Sequence, residues 1–568
     1  VVECCLYEHT GIRLNAGKTK VYNRGGVKPD GVETLQPPGP DAERVWVGDH
    51  SPPAEQQGVV VLGAPLGTQR FAEEHGKEKL EKELDLLDLV AQVPDLQCAW
   101  VLLLLCCAPR ANYNLRTQPP EQAAVYAVTH DSLVWETLCK LLGRDDLAQH
   151  HQLDNRHAWL AQLPMRLGGC GLRSALRTAP AAWWASWADT LPMIRARHPE
   201  VAERLYQQLQ GNRVATPSVA AVHEAQRHLA EKGYQCPEWD LVWNGARPDQ
   251  GSELEPGEWK HGWQYYAASR LETEFRAGAV LSSADYSSNA LLRSQAGRAS
   301  GAHLSALPVD AARTWQPAHL RLVLLRRLRL ELPLDERRCK CGGVLDSRGD
   351  HRAACPTVGK LAQRAKPLEQ AWARVCREAG ARVLENCLLR DLNLEGVAGT
   401  DGRRLEVVAN NLPLWNGAQL GVDCTLVSPL RRDGTAYPRA AATDGVRLEA
   451  ARQRKENKYP ELLNSRRCKL VVTAMEIGGR WSEEAWSFLE QLAKVKAKTV
   501  PVALRRSTEY CFLRRWSQML GVAAQSAFAA TLLGEPAGRI QAWNDQAPDL
   551  GEALHDRETP AEGPSRLR

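Results

Sequence analysis

The sequence has no apolar run long enough to cross a bilayer. Its longest, Cys98–Ala108 (CAWVLLLLCCA), is about half of the roughly 20 residues that a spanning helix needs, so it reads as a buried helix. A disulfide framework is also missing. The 16 cysteines stand mostly singly or as neighbours, as at Cys4/Cys5 and Cys106/Cys107, which suits a reducing compartment where Cys acts as a small hydrophobe. Net charge is scarce: +5 over 568 residues confines any nucleic-acid-binding surface to a local patch. The chain opens at Val1 without Met or a signal-like segment, and Val1–Leu6 reads as mid-strand, so a cut N-terminus is expected. With 24% charged and 44% hydrophobic residues the whole cannot be a disordered tail, a fibre or a stapled mini-protein. The length allows about three to five domains.

Along the chain, Gly25–Gly58 is rich in Pro and Gly and reads as loop. Val59–Leu62 is a short β-branched strand stopped by GAPLG. From Glu73 the apolar residues recur at helical steps to about Ala108, and Ala/Leu/Trp-rich helix continues to about Leu209. A polar section covers Gly233–Gly301, and Ala318–Leu330 is a basic helix. The tail from Gly534 has a composition that does not support a core. The expected architecture is a multidomain α/β protein with mainly helical sequence in its first half.

One cluster of cysteines breaks the scattered pattern. Cys339, Cys341, His351 and Cys355 give C-x-C-x9-H-x3-C, with Gly342 and Gly343 able to turn the chain around an ion. Thiolate and imidazole are the usual zinc ligands, and four protein ligands leave no open position, so a zinc there is structural. The alternative is four unpaired residues in a loop.

Residues 363–475 carry a second constellation. A helix at Arg364–Gly380 leads to strands at Ala381–Cys387, Arg403–Ala409 and Gln419–Val427, then a helix from about Ala440 to Leu463 and a strand at Cys468–Met475. Glu406 and Asp423 each interrupt an apolar strand, which is costly unless they are paired or metal-bound. Together they could hold magnesium, an ion that takes one or two carboxylates plus phosphate and water. Such an ion can support phosphodiester hydrolysis. Lys455 and Lys458, three apart on the next helix, could stabilise charge on the phosphate, and Tyr459 could orient Lys455. Alternatively, Glu406 and Asp423 pair with Arg403 or Arg404 and the lysines form a solvated face.

Arginine is concentrated before the Cys/His cluster (Arg321, Arg326, Arg327, Arg329, Arg337, Arg338) and around the carboxylates (Arg403, Arg404, Arg431, Arg432, Arg452, Arg454, Arg466, Arg467). Arg suits bidentate phosphate contacts, although a solvated face or a composition bias fits equally. Trp183, Trp184 and Trp187 sit among Ala and Leu and read as core rather than base-stacking residues.

The order of these motifs resembles the C-terminal part of a non-LTR (LINE-type) retrotransposon polyprotein with a restriction-enzyme-like, PD-(D/E)xK-type endonuclease. GIRLNAGKTKV (Gly11–Val21) resembles the post-catalytic palm motif of reverse transcriptases, VVVLGAPLG the primer grip, and PMRLGGCGLRSA a thumb and connector segment. The Cys/His cluster stands where the family has its knuckle, and RRLEVV, GVDCTLVSP and KENKY are similar to the nuclease core in order.

The resemblance implies a palm edge at 1–72, a helical thumb and connector at 73–231 and a linker with a basic helical region at 232–330. A zinc knuckle at 331–360, the endonuclease at 361–500, and helices with a tail at 501–568 complete it. Glu406 and Asp423 fall at the family's acids. Thr425 holds the usual lysine position, leaving Lys455 or Lys458 for that role, with Glu378 or Glu385 as further helpers. Lys18 would be a remnant of nucleotide handling, since no YADD- or FADD-like hairpin is present and polymerisation is not expected. The implied activity is nicking of target DNA for target-primed reverse transcription. The implied partners are DNA and element RNA, with no membrane and no small-molecule substrate, and the implied compartment is the nucleus. The alternatives are a nucleic-acid-binding module that does not cleave and a decayed reading frame.

Overall fold

The computed structural model describes residues 7–11, 18–39, 44–148, 155–248, 261–334, 336–358, 361 and 363–535. Most of the Gly11–Val21 motif, Val1–Leu6 and the tail beyond residue 535 lie outside them. The chain is α/β and divides into two compact units: Val1–Leu86, Arg110–Leu133 and Ala175–Leu271 form one, and Leu87–Pro109, Val134–Ser174 and Glu272–Arg568 the other.

In the first unit a two-stranded hairpin, β1 (Gly58–Val61) and β2 (Ala64–Gly67), precedes helix α1 (Gln69–Ala91), whose part up to Leu86 belongs to this unit. The unit also has helix α2 (Pro120–Leu142) up to Leu133, α3 (Ala175–Arg197), α4 (Pro199–Leu209), α5 (Pro217–Glu231) and α6 (Trp263–Phe275) up to Leu271. Their core forms around Trp184, which is fully buried and meets Tyr234 and Trp263 edge-on at 5.7 and 5.8 Å. The tryptophans of α3 are therefore packing residues, with Trp183 set edge-on to Trp187. A second interior feature is polar: Glu83 of α1 accepts from Tyr126 Oη at 2.6 Å and lies 2.8 Å from His130 Nδ1, both on α2.

The second unit contains the Cys98–Ala108 run, where an α-helix, Leu96–Leu102, passes into a π-helical turn at Leu103–Cys107. Helices α7 (Tyr286–Gln295) and α8 (Pro317–Arg327) precede a small hairpin, β3 (Arg337–Arg338) and β4 (Val344–Leu345), and the short helix α9 (Asp350–Ala354). Then α10 (Ala365–Glu378) leads into a four-stranded sheet of β5 (Arg382–Leu388), β6 (Arg404–Asn410), β7 (Gln419–Val427) and β8 (Cys468–Glu476). The strands lie in that order. β5/β6 and β6/β7 are antiparallel, and β7/β8 are parallel because α11 (Val446–Lys458) forms the crossover between them. Helices α12 (Glu483–Ala497) and α13 (Val502–Leu533) complete the unit.

Both faces of β7 and of the edge strand β8 are covered, which explains why these two read as near-continuous apolar runs. Leu470, Val472 and Ala474 of β8 pack with Leu448, Ala451 and Tyr459, while Val471 lies towards Phe488 of α12, which stacks at 5.6 Å on Trp372 of α10. Among the described residues no helix is long and apolar enough to cross a membrane.

Glu476, at the end of β8, is buried, and this burial pushes its carboxyl up to about 7, with Arg480 3.8 Å away opposing the shift. The unfolded chain ionises this group near 4.5, so the folded state holds a proton that the unfolded state releases between those values. Stability through Glu476 is therefore greatest at low pH and declines as pH rises towards 7. Relative to wild type, Glu476→Gln should gain about 2 kcal/mol between pH 5 and pH 7.5, from about 1.4 kcal/mol per pKa unit over the part of the shift that falls in that window. Urea unfolding at the two pH values checks this; an equal stability difference at both contradicts it.

Candidate active site and metal centre

The acid site starts from strand register. β6 and β7 pair Val407 with Val422 and Val408 with Gly421, so one further step sets Glu406 opposite Asp423, on one face of the sheet. The ladder stops there. The free backbone N–H of Cys424 donates instead to the Glu406 carboxylate. Asp423 is fully buried, and neither of its oxygens accepts a well-aligned hydrogen bond. Lys455 reaches this pair from α11: its Nζ touches Asp423 Oδ1 and lies 3.9 Å from Glu406 Oε1. Two carboxylates from neighbouring strands and one ammonium from the covering helix thus converge. Burial and the adjacent Asp423 charge push Glu406 up to about 8, with Lys455 opposing.

Of the two candidate lysines, Lys455 is at the carboxylates. Lys458 is exposed, with its ammonium 4.7 Å from the Tyr459 ring centre. Tyr459 does not orient Lys455 by a hydrogen bond; its hydroxyl donates to the Arg404 carbonyl at 2.6 Å and pins the end of α11 to β6. Arg403 and Arg404 do not neutralise the acids. Arg403 pairs with Asp401 and Glu461 at 2.7 and 2.6 Å, and the exposed Arg404 donates to the Asn386 carbonyl at 2.8 Å.

Two suggested helpers are committed elsewhere. Glu378 is buried against Arg374 Nε and Trp516 Nε1, at 2.8 and 2.6 Å, and joins α10 to α13. Glu385 pairs with Arg377 at 2.6 Å on the surface. The acid missed from the spacing is Glu369 of α10, whose charge adds to the upward shift of Glu406. Its position early in the helix before β5 was the available signal. Thr425 is half-buried on β7, two residues beyond Asp423.

The Cys/His cluster forms where the β3–β4 turn meets α9. Cys339 N–H donates to the Gly343 carbonyl at 2.8 Å, closing the turn that carries Cys339 and Cys341. A Cβ on Gly343 would stand 2.5 Å from His351 Cε1, so glycine is required for the imidazole to approach. Asp346 caps α9, accepting from the Asp350 and His351 amides at 3.0 and 2.8 Å, and Cys355 follows the last turn. Cys341 Sγ lies 3.4 Å from His351 Nε2 and 3.7 Å from Cys355 Sγ, and Cys339 Sγ is 4.0 Å from Cys355 Sγ. All four ligand atoms fall within 4.8 Å of one another, and the group could hold a metal ion such as zinc. Tetrahedral zinc with Zn–S near 2.3 Å sets sulfurs about 3.8 Å apart, close to the spacing found, whereas a disulfide needs about 2.05 Å.

The basic residues divide by burial. Arg337 and Arg338 are exposed on β3, and Lys18 is exposed in the first unit. Arg326 and Arg327 are interior and are corrected as nucleic-acid-binding candidates. Arg326 pairs with Asp350 at 3.0 Å and lies 5.2 Å from the Phe528 ring centre. Arg327 donates to the carbonyls of Gly169, Met165, Gln295 and Gly478 at 2.8, 3.1, 3.1 and 3.3 Å. The cause is that α8 is buried around most of its circumference. Removing this guanidinium strands several buried acceptors, so Arg327→Met is expected to cost about 3–5 kcal/mol. Chemical unfolding of the purified variant measures it; a loss below about 1 kcal/mol contradicts the interior role.

No protein-family model matches the chain, and no curated protein matches it.

Proposed function

We propose that the Glu406/Asp423/Lys455 site is a magnesium-dependent DNA endonuclease centre. One observation carries the reading: two carboxylates from adjacent strands, Asp423 fully buried and Glu406 half-buried, meet a helix lysine at one point. A half-enclosed site with two acids and one ammonium fits a divalent cation, and Glu406 and Asp423 would hold it. The ion when bound supplies an activated water and charge for the leaving oxygen. Lys455 then faces the scissile phosphate with its ammonium and stabilises negative charge developing there. Tyr459 fixes the height of α11 against β6 and so fixes the reach of Lys455.

The order of motifs and the mixed β5–β8 sheet support a restriction-enzyme-like core of a non-LTR retrotransposon polyprotein. In this reading the chain nicks target DNA so that a 3′ end can prime copying of element RNA, and the Cys/His cluster is a structural zinc knuckle. The exposed Arg337, Arg338 and Arg404 are available for phosphate contacts.

Incubation of the full chain with supercoiled plasmid tests the reading. Open-circular product is expected with magnesium and not with a chelator of divalent ions. Salt-sensitive plasmid binding without any nicking would replace it with the second reading, a nucleic-acid-binding module, which the closed contact of Lys455 on Asp423 would then explain.

A further inference from the structure

Arg364 lies just ahead of α10, with 5% of its surface exposed and, among the described residues, no carboxylate paired with it. Its Nη1 donates to the Ala353 carbonyl at 2.8 Å and its Nη2 to the Leu426 carbonyl at 2.9 Å. Ala353 belongs to α9, between His351 and Cys355. Leu426 belongs to β7, three residues after Asp423. One rigid guanidinium therefore spans the element that carries half of the Cys/His cluster and the strand that carries the buried acid. Burial lowers its pKa to about 10, which still leaves it cationic at neutral pH.

The other anchors of α9 lead away from the sheet. Asp350 holds Arg329 with two hydrogen bonds, at 3.0 and 2.6 Å, and Arg326 at 3.0 Å, which fastens α9 to α8 and the turn after it. Arg352 Nη1 donates to the Leu532 carbonyl of α13 at 2.5 Å. Arg364 joins α9 to β7 directly, through Ala353 and Leu426. A lysine could meet one carbonyl but not hold two at a fixed separation, because its donors radiate from one flexible point.

We propose that Arg364 is a positioning residue that couples the Cys/His cluster to the strand bearing Asp423, so that zinc in the cluster sets the order of β7. Without the ion, β3, β4 and α9 are two strands of two residues and a helix of five, too short to hold their own geometry. Loosened α9 releases the Ala353 carbonyl, and the guanidinium no longer fixes Leu426. The catalytic consequence rests on the nuclease reading; the coupling does not.

Hydrogen exchange on the zinc-loaded full chain, before and after chelation, tests this. In wild type, exchange over residues 422–427 is expected to rise several-fold on zinc removal. In Arg364→Met, and in Arg364→Lys, which keeps the charge but not the fork, it is expected to be raised already and to respond little to chelation. Arg352→Lys alters a tie of α9 to α13 while zinc and Arg364 still hold α9, so the zinc-loaded variant should keep 422–427 protected as in wild type. For plasmid nicking, Arg364→Lys should lower kcat with KM for DNA unchanged. Protection over 422–427 that ignores zinc in wild type overturns the proposal, and so does a full zinc response in folded Arg364→Lys. If no Arg364 variant folds, the wild-type chelation result decides. A zinc response in a protein that nicks no DNA supports the coupling and removes the nuclease reading.

Discussion

Asp423→Asn is expected to lower magnesium-dependent nicking by about a thousandfold while leaving the chain folded, a loss on the scale of removing a main electrostatic element from an active site. The substitution keeps the size of a fully buried side chain, so β7 and β8 need not repack. It removes the charge that lies against Lys455 and raises Glu406. Lys455 retains Glu406 as a partner, which limits the stability cost. The remaining lone carboxylate is a poorer ligand for a hard divalent ion than the pair. Lys455→Met should differ in kind: magnesium affinity is retained while the rate falls, because the ammonium acts on the phosphate and not on the ion. Single-turnover cleavage of plasmid measures both. Equal rates in wild type and Asp423→Asn would exclude the acid site as the source of nicking.

The second large effect concerns the Cys/His cluster. About one zinc per chain is expected, since the four ligands form one tetrahedral set. At free zinc a thousandfold above its Kd, binding to the folded state alone stabilises by roughly 4 kcal/mol. Chelation should therefore lower the melting temperature of the second unit by several degrees, and Cys341→Ser should do the same with zinc present. Metal analysis and a thermal melt check this. A purified chain with no zinc, whose melt is indifferent to zinc or chelator, contradicts it.

Residue patterning carried much of the second unit. Gln419–Val427 is a strand over the expected residues, and the other strands and α10 begin within one or two residues of expectation. The reason is local: β-branched runs interrupted by Gly and Pro leave few alternatives. Glu406 and Asp423 were also legible, because a carboxylate in an apolar strand needs a partner. The choice of Lys455 over Lys458 was not, since it depends on how α11 is rotated against the sheet, and Tyr459 sets that by bonding across to β6. The burial of Arg326 and Arg327 was equally hidden. Their partners are carbonyls and carboxylates distant in sequence, and a basic helix looks solvated until those acceptors surround it. Arg364 escaped notice for the same reason.

Calorimetric titration of the zinc-loaded full chain with magnesium addresses the acid site most directly. One magnesium site is expected in wild type and in Lys458→Met, and its loss is expected in Asp423→Asn and Glu406→Gln. No binding in wild type, or binding that survives unchanged in both acid variants, would contradict a magnesium centre at Glu406 and Asp423.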